Sequence, residues 1–271
     1  MNKDFTMKLV VLDLDGTLLD EKKEIPPQTM QTIRNVQEKG IAVTLASSRP
    51  LCSMLPYARA LQLDLPLIAH SGAIITGAAG SGIRQRQPLN PPSARLAIEL
   101  LEKHEYYIKA YCDDILYVQE AIAETIKYSQ LYGVPYREVG KNNLTGLPEI
   151  PIRLMMFDRD SRRIERIPEL LGDLRHDFSF ANDTEYGLEM VDCSVNKGNA
   201  VKLLCDELGL EMREVMAIGN EGNDVEMIKM AGLGIAMGNA CTELKRVAAA
   251  VTKSNIESGV EYALKKYILE C

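Results

Sequence analysis

The sequence has no apolar run long enough to cross a bilayer, no Cys-x-x-Cys pair and no basic tract. A membrane-spanning helix needs about 20 predominantly apolar residues, so no membrane partner is expected. The six cysteines are widely spaced, which argues against a zinc site and a redox motif. The formal net charge of −7 argues against a nucleic-acid-binding surface.

The first seven residues are polar and lead directly into an apolar run, without the apolar segment of a signal peptide. Free thiols are typical of a reducing compartment, and we therefore expect a cytoplasmic protein. The length of 271 residues predicts one large domain or two moderate ones, and the 46% hydrophobic content suffices for a core.

One short stretch carries the first indication of chemistry. The apolar run Leu9–Leu12 predicts a strand buried on both faces, and it leads into Asp13, Asp15 and Gly16. Side chains at positions i and i+2 leave a strand on the same side, so the two carboxylates are expected to converge. Close carboxylates repel each other unless a cation holds both, which favours Mg²⁺. The same residues are also compatible with a strand followed by an Asp-rich turn.

Other predicted elements also place polar residues at one edge of a parallel sheet. Strand 41–46 precedes Ser47 and Ser48, strand 215–219 precedes Asn220, Asn223 and Asp224, and Lys197 begins a helix. If these groups meet at one edge of the sheet, they fit a Mg²⁺-assisted phosphoryl transfer. In such a site the metal and the lysine ammonium screen the charge of the phosphate. Two alternatives stay open: a serine that caps the helix predicted over 51–61, and a lysine solvated at the surface.

The order of the predicted elements indicates an α/β fold with an insertion. Strands and helices alternate in 1–84 and again in 190–271, which predicts a Rossmann-like parallel-sheet core with helices on both faces. Residues 77–92 are rich in Gly and Pro and show no periodic pattern, which is typical of a boundary. Residues 85–189 predict a separate α+β module, ordered as αββ, two αβ units and a final strand.

The motifs and their order resemble the haloacid dehalogenase-like (HAD) hydrolase superfamily. Asp13-Leu14-Asp15-Gly16-Thr17 is similar to its first motif, Ser47 to its second, Lys197 to its third and Gly219–Asp224 to its fourth. A module at 85–189, between the second and third motifs, resembles the C2-type cap of the Cof-type phosphatases. Ordered motifs together with the cap position are more specific than any single string.

The resemblance implies a role for each matching residue. Asp13 would be the nucleophile that forms an aspartyl-phosphate, and Asp15 the general acid and base. The implied ligands of Mg²⁺ are Asp13, Asp15 through its carbonyl, and Asn220. The implied phosphate-binding groups are Ser47, Lys197, Asn223 and backbone N–H groups near Leu14 and Ser48. Asp224 would orient Lys197 or a metal-bound water.

The sequence departs from the family pattern at Asn220, where Asp is usual, and a lost negative charge should weaken metal binding. Ser48 replaces a common Gly. The resemblance implies a phosphoric monoester hydrolase, monomeric or weakly homo-oligomeric, that acts on a small phosphorylated metabolite such as a sugar phosphate or phosphorylated cofactor. The alternatives are a phosphate-ligand binding or sensing protein that has lost turnover, motivated by Asn220, and a phosphomutase.

Overall fold

The computed structural model describes residues 7–184 and 186–270. Its strands are β1 (Leu9–Leu12), β2 (Ala42–Leu45), β3 (Pro66–Ala69), β4 (Ile74–Ala78), β5 (Ile83–Arg86), β6 (Tyr107–Cys112), β7 (Ile115–Val118), β8 (Tyr136–Glu138), β9 (Arg153–Phe157), β10 (Phe178–Thr184), β11 (Gly187–Asp192), β12 (Val215–Gly219), β13 (Leu233–Ala236) and β14 (Ala250–Val251). Its α-helices are α1 (Pro27–Glu38), α2 (Leu51–Ala60), α3 (Pro91–Lys103), α4 (Ala123–Tyr132), α5 (Ser161–Glu165), α6 (Ile167–Leu171), α7 (Lys197–Leu208), α8 (Val225–Met230), α9 (Thr242–Val247) and α10 (Gly259–Leu264). Within the described ranges, no helix combines the length and the apolar character needed to span a bilayer.

The chain divides into two compact units. Among the residues that the structure describes, the first unit lies within 1–48, 54–84 and 196–271, and the second lies within 49–53 and 85–195. The boundary expected after residue 189 would fall inside β11, which pairs along its length with β10, so the second unit continues to Val195. Residues 49–53 join the second unit because the Cys52 amide donates to the Asp114 carboxylate (3.1 Å).

The first unit is built on a parallel sheet with the strand order β14-β13-β12-β1-β2. All four residues of β1 are completely buried, so both faces of this interior strand are covered, as in the predicted α/β fold. Leu12 lies in register with Leu45 on one side and with Ile218 on the other. Polar residues that follow these three strands therefore lie at one edge of the sheet.

Strand β3 is not part of the five-stranded parallel sheet. It touches the β2 chain through a single parallel bridge between Ala46 and Ile68, and it pairs with β4 in an antiparallel manner. Pro66 has no N–H to donate, and the Leu67 N–H donates to the Thr76 hydroxyl instead (2.9 Å). The pairing between β2 and β3 therefore stays limited to this bridge, because Pro66 cannot donate toward β2.

Other differences concern short elements. Strands β4 and β5 occupy part of the segment expected to be irregular, and β8 was not predicted. Residues 161–171 form two helices that meet at Arg166, because Pro168 lies in the first turn of the second.

The second unit is a six-stranded sheet with the order β10-β11-β9-β6-β7-β8, in which only the β7–β8 pair is parallel. One face of this sheet packs against α3, α5 and α6 in an apolar core that includes Ile98, Leu101, Ile164, Leu154 and Met190. The unit therefore has its own core, as the predicted α+β module requires.

The other face of this sheet carries buried charge. Arg153 and Glu189 form an ion pair (Nη1–Oε2, 3.0 Å), with side chains 2% and 5% exposed. The Arg153 guanidinium also lies over the ring of Tyr111, 4.0 Å from its centroid. Lys109, on the same face of β6 as Tyr111, lies over the ring of Tyr128. Aromatic rings and opposite charges thus surround cations that are shielded from water.

Removing one partner of the Arg153–Glu189 pair is expected to be costly, because the remaining charge stays buried. We expect Glu189→Ala to lower the free energy of unfolding by about 3–5 kcal/mol in urea titrations. The matched control is Glu124→Ala, whose partner Arg159 is 85% exposed, with an expected loss below about 1 kcal/mol. Equal losses in the two variants would contradict this account of the pair.

Candidate active site

The candidate site begins with the turn that follows β1. Residues Leu14–Leu18 wind into a single π-type turn, in which Asp15 has an extended ψ of 122° and Gly16 a φ of +73°. A Cβ at Gly16 would lie 2.5 Å from the Asn220 amide, so glycine is required both by its conformation and by this close approach. Because β1 ends at Leu12, the strand-alternation argument for Asp13 and Asp15 does not apply.

Lys197 is the centre of the site. Its Nζ donates to Oδ1 of Asp13 (2.7 Å) and to Oδ1 of Asp224 (2.6 Å). The Lys197 side chain is 1% exposed, so the alternative of a solvated surface lysine is wrong. Asn196 places it at the start of α7, because its side chain accepts the Asn199 N–H and so caps the helix.

The electrostatics of this trio follow from its burial. Burial raises the pKa of Asp13 to about 7, with a further increase from Asp224, although the Lys197 ammonium acts in the opposite direction. Burial lowers the pKa of Lys197, but the two carboxylates outweigh that effect, so its pKa is raised and the lysine stays charged. The single positive charge of Lys197 therefore neutralises only part of the negative charge of Asp13 and Asp224. A further cation bound beside them would neutralise the rest.

Asp224 organises the loop that follows β12. Its Oδ2 accepts the backbone N–H groups of Asn220 (2.8 Å) and Glu221 (3.1 Å), while its Oδ1 accepts Lys197. A Cβ at Gly219 would lie 2.5 Å from the Asp224 carboxyl carbon, which explains the glycine at this position. Asn223, half-buried, lies in the 3-10 turn Gly222–Asp224 of the same loop.

The Asn220 side chain reaches from this loop to the turn after β1. We call the terminal amide atom that faces this turn the inner atom of Asn220. It lies 2.8 Å from the carbonyl oxygen of Asp15, 3.1 Å from Oδ2 of Asp13 and 2.8 Å from the Thr17 hydroxyl. The structure thus brings Asn220 together with both groups that the family resemblance assigns to the metal.

These separations fit a magnesium site. Oxygen ligands at about 2.1 Å from an octahedral Mg²⁺ lie about 3.0 Å from their neighbours. The three donors would be the Asp13 carboxylate, the Asp15 carbonyl and the side-chain oxygen of Asn220, two of which are neutral. No group of three His, Cys, Asp or Glu side chains in 7–184 and 186–270 is placed to hold a metal. Such a site therefore depends on the amide and the backbone carbonyl.

The Asp15 carboxylate has a separate partner that the sequence analysis missed. Nζ of Lys23 lies 2.7 Å from its Oδ1, and the Tyr57 hydroxyl donates to the Lys23 carbonyl (2.9 Å). Lys23 has a φ of +62° in the turn that leads to α1. The carboxylates of Asp13 and Asp15 therefore contact different lysines, although both residues approach Asn220.

Two asparagines that were also missed hold the turn after β1. Asn239 donates to the Gly16 carbonyl (2.8 Å) and accepts the Asn255 N–H (3.1 Å), and Asn255 donates to the Leu19 carbonyl (2.9 Å). Asn239 follows β13, so the rule that polar residues at strand ends gather at one edge would have found it.

Ser47 and Ser48 follow β2 at the same edge. The Ala46 N–H donates to the Leu12 carbonyl (3.0 Å), which aligns this strand end with that of β1. Ser47 is buried, its N–H donates to the Ile68 carbonyl and its carbonyl accepts the Ser71 N–H. Helix α2 begins at Leu51 directly after Pro50, so neither serine occupies the position before the helix.

The order of these groups agrees with a comparison against protein families. A family model for haloacid dehalogenase-like hydrolases matches residues 10–264. The chain belongs to the haloacid dehalogenase-like hydrolases. The Cof-type resemblance inferred from the motifs is confirmed, and with it the prediction of an enzyme of the phosphoric monoester hydrolase class.

Several known proteins are similar to the chain over nearly its full length. The stress response protein YhaX of Bacillus subtilis is 31% identical, with 96% of this chain and 93% of the relative covered. The 5-amino-6-(5-phospho-D-ribitylamino)uracil phosphatase YcsE of the same organism is 28% identical, with 98% of both covered. A crystal structure of a haloacid dehalogenase-like hydrolase from Bacteroides thetaiotaomicron has 28% sequence identity to the chain and a TM-score of 0.85. The match covers 96% of this chain and 99% of that chain.

Proposed function

We propose that this protein is a Mg²⁺-dependent phosphatase of a small phosphorylated metabolite, acting through an aspartyl-phosphate on Asp13. The observation that carries the proposal is the buried Lys197, held between Asp13 and Asp224, with the Asn220 amide beside the same aspartate. A lysine that is desolvated between two acids supplies fixed positive charge where a phosphoryl group would add negative charge.

In the first step, a carboxylate oxygen of Asp13 attacks phosphorus. The bond from phosphorus to Asp13 forms as the ester P–O bond breaks, and Asp15 gives a proton to the leaving oxygen. Lys197 and the N–H groups near Ser48 and Leu14 hold the phosphoryl oxygens, together with Asn223. Mg²⁺, when bound by Asp13, the Asp15 carbonyl and Asn220, would neutralise phosphoryl charge.

In the second step, Asp15 takes a proton from a water molecule whose oxygen attacks phosphorus. The bond between phosphorus and Asp13 breaks, which releases phosphate and restores the Asp13 carboxylate. Ser47 lies at the same sheet edge and would bind a phosphoryl oxygen through its hydroxyl. Asp224 keeps Lys197 in place through both steps, because its Oδ1 accepts a hydrogen bond from Nζ.

A panel of phosphorylated metabolites, assayed for phosphate release with several millimolar Mg²⁺, tests the proposal. Sugar phosphates and phosphorylated cofactor precursors come first, since YcsE is named for a phosphoribitylamino compound. A second candidate function, phosphate-ligand binding without turnover, is favoured by the neutral Asn220. Tight binding of a panel member without phosphate release would support the ligand-binding function and contradict the proposal that the protein is a phosphatase.

Within the phosphatase account, Asn220→Asp is expected to lower the Mg²⁺ concentration for half-maximal activity. A carboxylate restores a full negative charge at a ligand position, and hard divalent cations prefer charged oxygens. Activity is measured across a Mg²⁺ titration for the wild type and the variant. An unchanged or higher requirement in the variant would contradict the ligand role of Asn220.

A further inference from the structure

The inner atom of Asn220 lies among oxygens that accept hydrogen bonds. Two of its neighbours, Oδ2 of Asp13 in its ionised form and the carbonyl of Asp15, have no proton to give, and the third is the Thr17 hydroxyl. Asn220 is 5% exposed, so water does not readily replace these contacts. The chemical identity of the inner atom therefore decides whether this buried group of acceptors is satisfied.

With nitrogen inside, Asn220 donates to the Asp15 carbonyl (2.8 Å), to Asp13 Oδ2 (3.1 Å) or to the Thr17 hydroxyl (2.8 Å). With oxygen inside and Asp13 ionised, it accepts from the Thr17 hydroxyl (2.8 Å) and faces the other two oxygens without a proton between them. Oxygens at such distances are favourable only when a cation lies between them. An inner nitrogen is therefore favourable when no metal is bound, and an inner oxygen is favourable when a metal is bound.

We propose that the Asn220 amide substitutes for the cation when none is bound. Its nitrogen then donates to the Asp13 carboxylate and the Asp15 carbonyl, and a rotation of the amide about Cβ–Cγ presents its oxygen when Mg²⁺ enters. The two amide ends are alike in size, so the backbone of the loop keeps its place. The inference takes the identity of the cation from the proposed function but needs no turnover.

An aspartate in place of Asn220 cannot make this exchange, because its carboxylate has no hydrogen to donate. It would also place a third carboxylate beside Asp13 and Asp224, which share a single lysine. The wild type is therefore expected to be stable without Mg²⁺ and to respond weakly to it, since binding breaks existing hydrogen bonds. The Asn220→Asp variant would depend on the ion for stability.

Thermal unfolding of the full chain, first in EDTA and then across a MgCl₂ titration, tests the inference. Without Mg²⁺ we expect Asn220→Asp to unfold several degrees below the wild type. With Mg²⁺ its Tm should rise more than that of the wild type, at a half-maximal concentration at least about tenfold lower. Asn223→Asp adds the same charge in the same loop and should not show this increased response.

Equal Tm values in EDTA for the wild type and Asn220→Asp, or a larger Mg²⁺ response in the wild type, would overturn the inference. If the variant does not fold in either condition, the inference is tested on the wild type instead. Nuclear magnetic resonance then measures the hydrogen-exchange rate of the Asn220 side-chain NH₂. Slow hydrogen exchange in EDTA that becomes fast in saturating Mg²⁺ supports the amide exchange, and identical exchange contradicts it. Because no substrate is present, a failed metabolite panel leaves these results interpretable.

Discussion

Replacing Asp13 with Asn is expected to abolish phosphate release, with kcat lowered by about 10⁴-fold or more. An amide cannot form the phosphoryl-enzyme bond, and loss of a nucleophile commonly costs that much. In the wild type, Lys197 donates to Oδ1 of Asp13 (2.7 Å). The fold should persist in the variant, because the side-chain oxygen of Asn can accept the same hydrogen bond. Steady-state phosphate release on the best panel substrate measures the effect.

The control for this variant is Asp206→Asn, which removes the same charge from an exposed ion pair on α7. Its kcat should match the wild type, and both variants should unfold within a few degrees of the wild-type temperature. Retention of more than about a tenth of the activity by Asp13→Asn would contradict the role of Asp13 as the nucleophile.

Lys197→Met is expected to lower both activity and stability. Phosphate release should fall by about 10³-fold, because the variant loses a fixed charge aimed at the phosphoryl group. The free energy of unfolding should fall by about 3–5 kcal/mol, since Asp13 and Asp224 stay buried without their shared counterion. Phosphate-release kinetics and urea unfolding of the same preparations measure the two effects.

Two further variants separate these effects. Lys202→Met, on the same helix, removes an ammonium from a pair whose side chains are 49% and 55% exposed, and it should cost less than about 1 kcal/mol. The double variant Lys197→Met with Asp224→Asn should regain part of the stability but none of the activity. Activity of Lys197→Met within about tenfold of the wild type would contradict the proposed phosphate contact.

Local patterns in the sequence predicted the strand ends that build this site. An apolar run followed by polar residues identified β1, β2 and β12, and α7 begins at the predicted Lys197. The pairing of Lys197 with two acids, from the ends of β1 and β12, depends on strand register. Register is a tertiary property that a local pattern does not contain. The burial of Lys197 could therefore not be predicted.

Other features left no local signal or a misleading one. The strand β5 reads Ile-Arg-Gln-Arg and is largely exposed, so no apolar alternation indicated it. Arg153 begins a strand that is otherwise apolar, yet it is buried against Glu189 and Tyr111, which are distant in sequence. Lys23 lies in a polar turn, where a lysine ordinarily signals only a solvated surface.

The stereochemistry of hydrolysis at phosphorus tests the central claim most directly. A phosphorothioate analogue of a substrate, made chiral at phosphorus with one oxygen isotope, is hydrolysed in water that carries a second oxygen isotope, and the configuration of the released chiral thiophosphate is determined. Each in-line displacement inverts phosphorus, so attack by Asp13 followed by attack by water predicts overall retention. Overall inversion would show that water attacks the substrate directly, and it would contradict the nucleophilic role of Asp13.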